Sequence, residues 1–336
     1  MIISERIIDP EKMPNDVQTI RPQKLNEYIG QENIKKRLGL AIKASKMRSE
    51  ALDHVLLVGP PGLGKTTLAH IISNELGTNI HVTSGPILEK QGDVAAILTN
   101  LEYSDVLFID EIHRMNKSVE EILYTAMEDF QIDILIGKGP SARSIRIDLQ
   151  PFTLVGATTR SGLLSAPLRN RFGLIMELDF YSIEELSKII ERAASVLNVE
   201  IKKDAAILLA RRSRGTPRIA LRLLRRVRDM STIRGKVTID MHMVGEIMEL
   251  LGIDEEGLDE LDRRILKTII EVYNGGPVGV KSLAASVGIS EDSISEVYEP
   301  YLLQSGFIAR THRGRIATQK AYKHLGINVK RGLFDE

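Results

Sequence analysis

From Leu52 to Phe180, short apolar runs alternate with amphipathic stretches: 54–58, 80–83, 105–109, 152–157 and 174–180 read as strands, with helical patterns between most of them. The runs are near-continuously apolar, as strands buried on both faces should be. The alternation therefore predicts a largely parallel sheet covered by helices. Ahead of it lie a polar arm to about Lys24 and a helical pattern from Asn33 to Met47. One segment breaks the rhythm. Residues 131–136 and 144–149 each alternate polar and apolar positions around Gly137-Lys138-Gly139-Pro140, which predicts an inserted β-hairpin over 131–149. Ile134 and Ile136 near its tip would project, so the hairpin reads either as a covering flap or as a docking surface.

From Ser182 to about Gly252 the periodicity is wholly helical, with one stripe through Ile183, Leu186, Ile189 and Ile190 and another through Ile219, Leu223, Leu224 and Val227. The acidic, glycine-bounded run 252–257 reads as a linker. Beyond it, Leu258, Leu261, Ile265, Ile269 and Val272 mark one helix and 280–287 a second. A third starts at a Ser290 cap, and residues 307–318 form a short hairpin with a basic tip. Three helices followed by such a hairpin predict a winged helix. The expected organisation is an α/β parallel-sheet domain over 1–181, a small helical domain over 182–252 and a winged-helix domain over 255–336.

The chain of 336 residues has 43% hydrophobic and 27% charged residues, an ordinary globular balance. It has no cysteine, which excludes disulfides, thiolate-bound metals and a catalytic thiol. No apolar run approaches the ~20 residues that span a bilayer, and the start carries no sustained apolar stretch, so an intracellular, cytoplasmic location is expected. Lys plus Arg and Asp plus Glu are both 45, but the distribution is uneven. Eight arginines and no acid fall between Ala205 and Arg228, and only bases fall between Ile308 and Lys323.

The most specific chemistry lies at Gly59-Pro60-Pro61-Gly62-Leu63-Gly64-Lys65-Thr66, where a predicted strand runs into a helix. Gly62 and Gly64 let the loop turn its N–H groups onto phosphates. Lys65 would reach the β and γ oxygens, and the Thr66 hydroxyl would hold Mg²⁺. The apolar strand 106–109 delivers Asp110 and Glu111 to the carboxyl end of the sheet, with Asp110 expected on the Mg²⁺ side and Glu111 as water activator. The strand 152–157 ends in Thr158-Thr159-Arg160. Thr158 is a candidate γ-phosphate sensor or, equally, a turn-capping threonine. Arg169 and Arg171 precede the last strand, where they serve either surface ion pairs or a neighbouring subunit's nucleotide. Thr216, Pro217 and Arg218 open a helix, and Arg218 could reach back to the nucleotide.

Taken together, these motifs resemble the AAA+ ATPases. The ordered set 59–67, 110–114, 128–130, 156–162, 167–173, 215–218 and the winged helix is similar to the RuvB family of bacterial Holliday-junction branch-migration motors over nearly the whole chain. The resemblance implies ATP and Mg²⁺ as cofactors, with Lys65, Asp110, Glu111, Thr158 as sensor 1, Arg171 as arginine finger and Arg218 as sensor 2. It implies that Gly59, Gly62, Leu63, Gly64, Thr66 and Thr67 contact the phosphates, that Ile20, Arg21, Tyr28 and Ile29 line the base and ribose, and that Tyr181 sits near the nucleotide. Glu128, Asp129 and Phe130 would contribute to a neighbour's site. It further implies a ring, taken as hexameric, that docks through Ile134, Leu135 and Ile136 on the junction-recognising protein RuvA, with the resolvase RuvC as a further candidate partner.

A translocating motor needs sequence-independent phosphate contacts. Arg310, Arg313 and Arg315 crowd the predicted wing, whereas the third helix carries Glu291, Asp292, Glu296 and Glu299. The wing is therefore the expected DNA contact, with Arg310 and Arg315 ahead of Arg313. The competing function is a nucleotide-switched loader or initiator, which joins the same ATPase to a base-reading winged helix.

Overall fold

Five strands in the order β2-β3-β6-β1-β7, all parallel, form the central sheet: β1 Val55–Val58, β2 Ile80–Ser84, β3 Val106–Asp110, β6 Thr153–Thr158 and β7 Leu174–Glu177. The computed structural model describes residues 20–136 and 143–328. By their contacts these divide into two units, one running to Gly59 and over Leu63–Phe180, the other comprising Pro60–Gly62 and the chain from Tyr181 onward. Strands β1, β3 and β6 are buried along almost their whole length, which is why they carry no polar alternation.

Helix Lys117–Glu128 buries Val119, Ile122, Leu123, Ala126 and Met127 on one face, the helical period of a half-buried element, against a core built around Phe152, Leu154 and Leu107. Its C-terminal end is fixed by His54. Nδ1 of this buried ring accepts the Leu154 N–H at 2.9 Å, so Nε2 carries the proton, 3.0 Å from the Met127 carbonyl. Phe130, at φ 51°, turns the chain after the helix and packs its ring near His54 and edge-on to Phe152.

The predicted hairpin is present as β4 Gln131–Ile136 and β5 Arg143–Asp148, antiparallel, with Ile132 opposite Ile147 and Ile134 opposite Ile145. Ile132 is fully buried, and Ile134 and Ile147 pack on the core. This corrects the expectation that Ile134 projects, because its face of the hairpin lies on the domain. Among the described side chains of the hairpin, the exposed large apolar one is Ile145, on the opposite strand. The turn at 137–140 and the side chains of Leu135 and Ile136 lie outside the described residues, as does the arm before residue 20.

In the second unit, helices Ile183–Val196, Lys203–Arg211, Pro217–Ile233 and Met241–Leu250 pack together, joined by the short parallel pair Glu200–Ile201 and Thr238–Ile239. Ser182 and Glu185 form a capping box that starts the first of them. Thr216 occupies the N-cap of the third, but its hydroxyl bonds back to the Ser213 carbonyl instead of capping the helix. The chain continues into helix Glu260–Lys267, which runs on as a wider turn over Thr268–Val272, then helix Val280–Val287 and a third helical stretch from Ser293 to Gln304. Ser290 Oγ accepts the Ser293 N–H there, as its cap position requires. The wing follows as Ile308–Thr311 paired antiparallel with Gly314–Ala317. No helix among the described residues is long and apolar enough to cross a membrane.

Burial holds the His54 imidazole below its usual value of 6.5, and burial does the same for His70 and His113. The unfolded chain therefore takes up protons at a higher pH than the folded one. The stability these rings contribute is complete above 6.5 and is lost as pH falls through their lower folded values. Denaturation monitored between pH 7 and 5 should show falling stability, and NMR titration should find the His54 ring still neutral at pH 6.5, the usual midpoint of an imidazole.

Candidate nucleotide site and wing

Because β6 lies between β1 and β3, three carboxyl ends emerge side by side: Val58 is in register with Thr158, and Ile109 with Gly156. The Gly59 N–H donates to the Thr158 carbonyl at 3.1 Å and ties the start of the loop to the end of β6. The loop then bends through positive φ at Gly59, Gly62 and Gly64. A Cβ on Gly64 would stand 2.8 Å from the Tyr28 hydroxyl, and one on Gly59 2.8 Å from the Leu178 carbonyl oxygen. Tyr28 is buried and donates its hydroxyl to the Leu63 carbonyl at 3.2 Å, bracing the loop from outside. Lys65, also buried, lays its Nζ on the Gly59 carbonyl at 2.7 Å. Helix Lys65–Leu76 starts at Gly64 with no side-chain cap and no acid in its first turn, leaving the positive end of the helix to an anion. Glycine cradle, buried lysine and first-turn Thr66 and Thr67 together fit a nucleoside triphosphate and its Mg²⁺.

Asp110 ends β3 and accepts the Glu111 N–H at 3.0 Å. Glu111 takes the left-handed conformation, φ 48°, an uncommon backbone for a residue with a side chain, and its carboxylate meets Arg114 at 2.8 Å. The turn closes against Gly85, where any side chain would collide with the Glu111 carbonyl.

The two threonines at the end of β6, Thr158 its last residue and Thr159 the next, differ in a way that reverses the sequence expectation. Thr158 Oγ1 accepts the Arg160 N–H at 2.9 Å and lies 2.9 Å from His113 Nδ1, so its hydroxyl is engaged on both sides. Thr159 Oγ1 is buried and has no hydrogen-bond partner among the described residues. A buried hydroxyl left so costs about 1–3 kcal/mol, and beside a phosphate loop it is available to a ligand oxygen. The free hydroxyl expected at Thr158 is thus at Thr159, and Thr158 ties the strand end to His113. Sequence reasoning missed His113; its polar ring two positions after Glu111 was the available signal.

Arg171 is held by groups of its own chain. Nη2 meets Glu128 at 2.9 Å, Nε and Nη1 donate to the Tyr124 and Pro167 carbonyls, and the guanidinium lies 4.7 Å from the Tyr124 ring centre. Glu128, Asp129 and Arg171 thus share one region of the first unit, while Phe130 is used internally. In the second unit, the Arg218 N–H donates to the Gly62 carbonyl at 3.2 Å, and the buried Tyr181 donates its N–H to the Gly215 carbonyl. Ile20 is buried, Arg21 and Ile29 half-buried, and the charge of Arg21 bears on His70.

At the wing the expected order of arginines changes. Arg310 and Arg313 are exposed, but Arg315 is buried in a two-pronged ion pair with Glu299, Nε to Oε1 at 2.9 Å and Nη2 to Oε2 at 2.8 Å. Arg315 therefore fastens the wing to the third helix and has no guanidinium to spare for phosphate. Glu299 likewise is no part of that helix's exposed acid.

The sheet order, the loop–helix junction, the strand-end carboxylates and the helical and winged segments define a P-loop nucleoside triphosphatase of the AAA+ class. Family models match as the Holliday junction DNA helicase RuvB P-loop domain over 20–178, the RuvB AAA lid domain over 181–254 and the RuvB C-terminal winged helix domain over 255–326. The chain belongs to the RuvB family. It is 93% identical over 312 residues to the Holliday junction branch migration complex subunit RuvB of Thermosipho melanesiensis, covering 93% of this chain and all of that one. It is 72% identical over 333 residues to the Fervidobacterium nodosum subunit, covering 99% and 96% of the two chains. The solved Thermotoga maritima RuvB Holliday junction branch migration motor superposes with TM-score 0.87 at 66% identity, over 93% of this chain and all of that one.

Removing one side of the Arg315–Glu299 pair should cost about 3–5 kcal/mol, because the other charge is left buried alone. Chemical denaturation of Arg315→Met, Glu299→Gln and the double variant should show the double costing less than the sum of the singles.

Proposed function

We propose that the chain is an ATP-driven motor that branch-migrates Holliday junctions, acting as a hexameric ring on duplex DNA together with RuvA. The observation that carries this is the convergence of loop, carboxylate pair and unpartnered threonine at three adjacent strand ends, in a chain whose relatives at 66–93% identity are named for branch migration. Lys65 and the first turn of its helix bind the phosphates. Thr66 and Asp110 would hold Mg²⁺, which supplies charge neutralisation on the β and γ oxygens. Glu111 orients the attacking water, and its release from Arg114 frees the carboxylate for that task. Thr159 takes the γ-phosphate-sensing role, with Thr158 and His113 holding it in place. Arg218, bonded to loop residue Gly62, is the lid-side sensor, and Tyr181, Ile20, Arg21, Tyr28 and Ile29 serve the nucleoside.

Arg171 is the finger offered to the next subunit, with Glu128 and Asp129 beside it. Glu128 keeps the guanidinium in place until a neighbour's phosphate competes for it. On DNA, Arg310 and Arg313 contact phosphates. Docking on RuvA through the hairpin falls to its outer residues, the proposed Leu135 and Ile136 together with Ile145, an exposed apolar side chain of the same hairpin. The remaining exposed acids of the third helix, Glu291 and Asp292, count against base reading and so against the initiator.

Arg171→Ala should lower ATP turnover about 10³-fold or more. Mixing it with hydrolysis-dead Glu111→Gln should restore part of the activity, because one subunit's intact carboxylate meets the other's arginine; a mixture as dead as its components refutes a finger acting in trans. Thr159→Val should lower kcat about 10²-fold with little change in nucleotide affinity, and Thr158→Val should act chiefly on stability. Affinity for random duplexes should be near-uniform and fall steeply with salt, where strong preference for one sequence supports the initiator.

A further inference from the structure

The segment expected to be a plain linker between lid and winged helix is bonded at nearly every residue. Asp254 accepts the Leu258 N–H, receives Arg263 Nη1 at 3.2 Å and lies 2.9 Å from His324 Nε2, and Arg263 Nη2 donates to the Gly252 carbonyl at 2.8 Å. At the centre stands Arg214, from the lid. Its side chain is buried, donates Nε to the Gly257 carbonyl at 2.8 Å and divides Nη2 between Asp259 at 2.8 Å and Asp262 at 2.6 Å. Its guanidinium lies 5.7 Å from the ring centre of Tyr301, whose hydroxyl donates to the Glu256 carbonyl. Asp259 and Asp262 are also the two halves of the capping box that starts the first helix of the winged domain. Arg214 therefore plugs into that helix's N-terminus.

Nothing in this arrangement is chosen for stability alone. Arg214 sits at φ 52°, an unfavourable backbone for a side chain. Asp262 is fully buried with Oδ1 lacking any hydrogen bond among the described residues, and burial pushes its carboxyl up to about 7 against the pull of Arg214. Apolar residues of similar volume would join two domains as firmly. What the fork adds is a fixed orientation. The same turn then runs on through Gly215, which holds Tyr181, to Arg218, whose N–H is bonded to the phosphate loop at Gly62. Only three residues thus separate the loop contact at Arg218 from the anchor of the winged helix at Arg214.

We propose that Arg214 is a positioning residue that makes the lid and winged helix one rigid lever, so that displacement of Arg218 by nucleotide is delivered to the DNA-contacting wing. This rests on the motor reading for its consequence, but not for the rigidity. The chain has no cysteine, so spin labels at Ile233→Cys in the lid and Val272→Cys in the winged domain, both exposed, report the full-length protein without background. Pulsed electron spin resonance should give one narrow distance distribution, unchanged by ADP, a non-hydrolysable ATP analogue or duplex DNA.

Arg214→Gln should broaden the distribution. It should also cut the ratio of DNA-stimulated to DNA-free ATPase about fivefold or more, while the DNA-free rate and ADP affinity stay near wild type. Arg214→Lys, which keeps a charge but not the fork, should fall between them and serves if the glutamine variant does not fold. A narrow distribution with intact stimulation in the Arg214 variants, or a distance that already moves with nucleotide in the parent, overturns the proposal. If the parent shows no DNA stimulation, the motor reading fails while the distance measurement still decides whether the lever exists.

Discussion

Everything the proposed site requires follows from one constraint of the sheet: β6 lies between β1 and β3, so that the crossover from β1 to β2 passes two strands and that from β6 to β7 passes one. Parallel strands present all their carboxyl ends at one edge, and residues that follow neighbouring strands become neighbours whatever their distance in sequence. Gly59, Asp110 and Thr158 stand at the carboxyl ends of three adjacent strands and meet for that reason alone. The order also explains why these strands tolerate so little polarity. Covered on both faces, they align the site only by being packed without slack, and Gly156 shows how tight that is, since a Cβ there would crowd Ile112, Phe172 and Leu56.

That same burial limits what the sequence discloses. Continuous apolar runs announce a parallel strand and show where it ends, so the loop, Asp110 and Glu111 are legible from the chain alone. They do not disclose which face a side chain takes beyond the end, because a strand buried on both sides has no polar alternation to set its phase. Thr158 and Thr159 are adjacent, chemically identical and directed differently, and only coordinates separate the engaged hydroxyl from the open one. The hairpin posed the converse difficulty. Its alternation gave two faces correctly, but Ile134 and Ile145 share one of them, and what separates half-buried from exposed is the core beneath.

Two residues with side chains adopt left-handed backbone at points where a mechanical or chemical event is assigned: Glu111 at the water-activating turn and Arg214 at the lid–winged-helix anchor. Each is constrained from outside, Glu111 by Gly85 and the Arg114 pair, Arg214 by two carboxylates and a carbonyl. Strain of this kind persists only where neighbours over-determine it. It supports the view that both turns are held in one arrangement for use.

Arginine content was the poorest guide, and the reason is physical. A guanidinium serves an outside phosphate only when no carboxylate of its own chain holds it in a buried pair, and a run of bases says nothing about acids far away in sequence. Arg315 meets Glu299 from the preceding helix, and Arg214 meets Asp259 and Asp262 from the next domain. Arg171 meets Glu128, but on a partly exposed surface, where water weakens the pair and a phosphate can compete for it. Burial therefore sorts the three: two arginines are fixed as fasteners, and the third is left exchangeable, as a finger has to be.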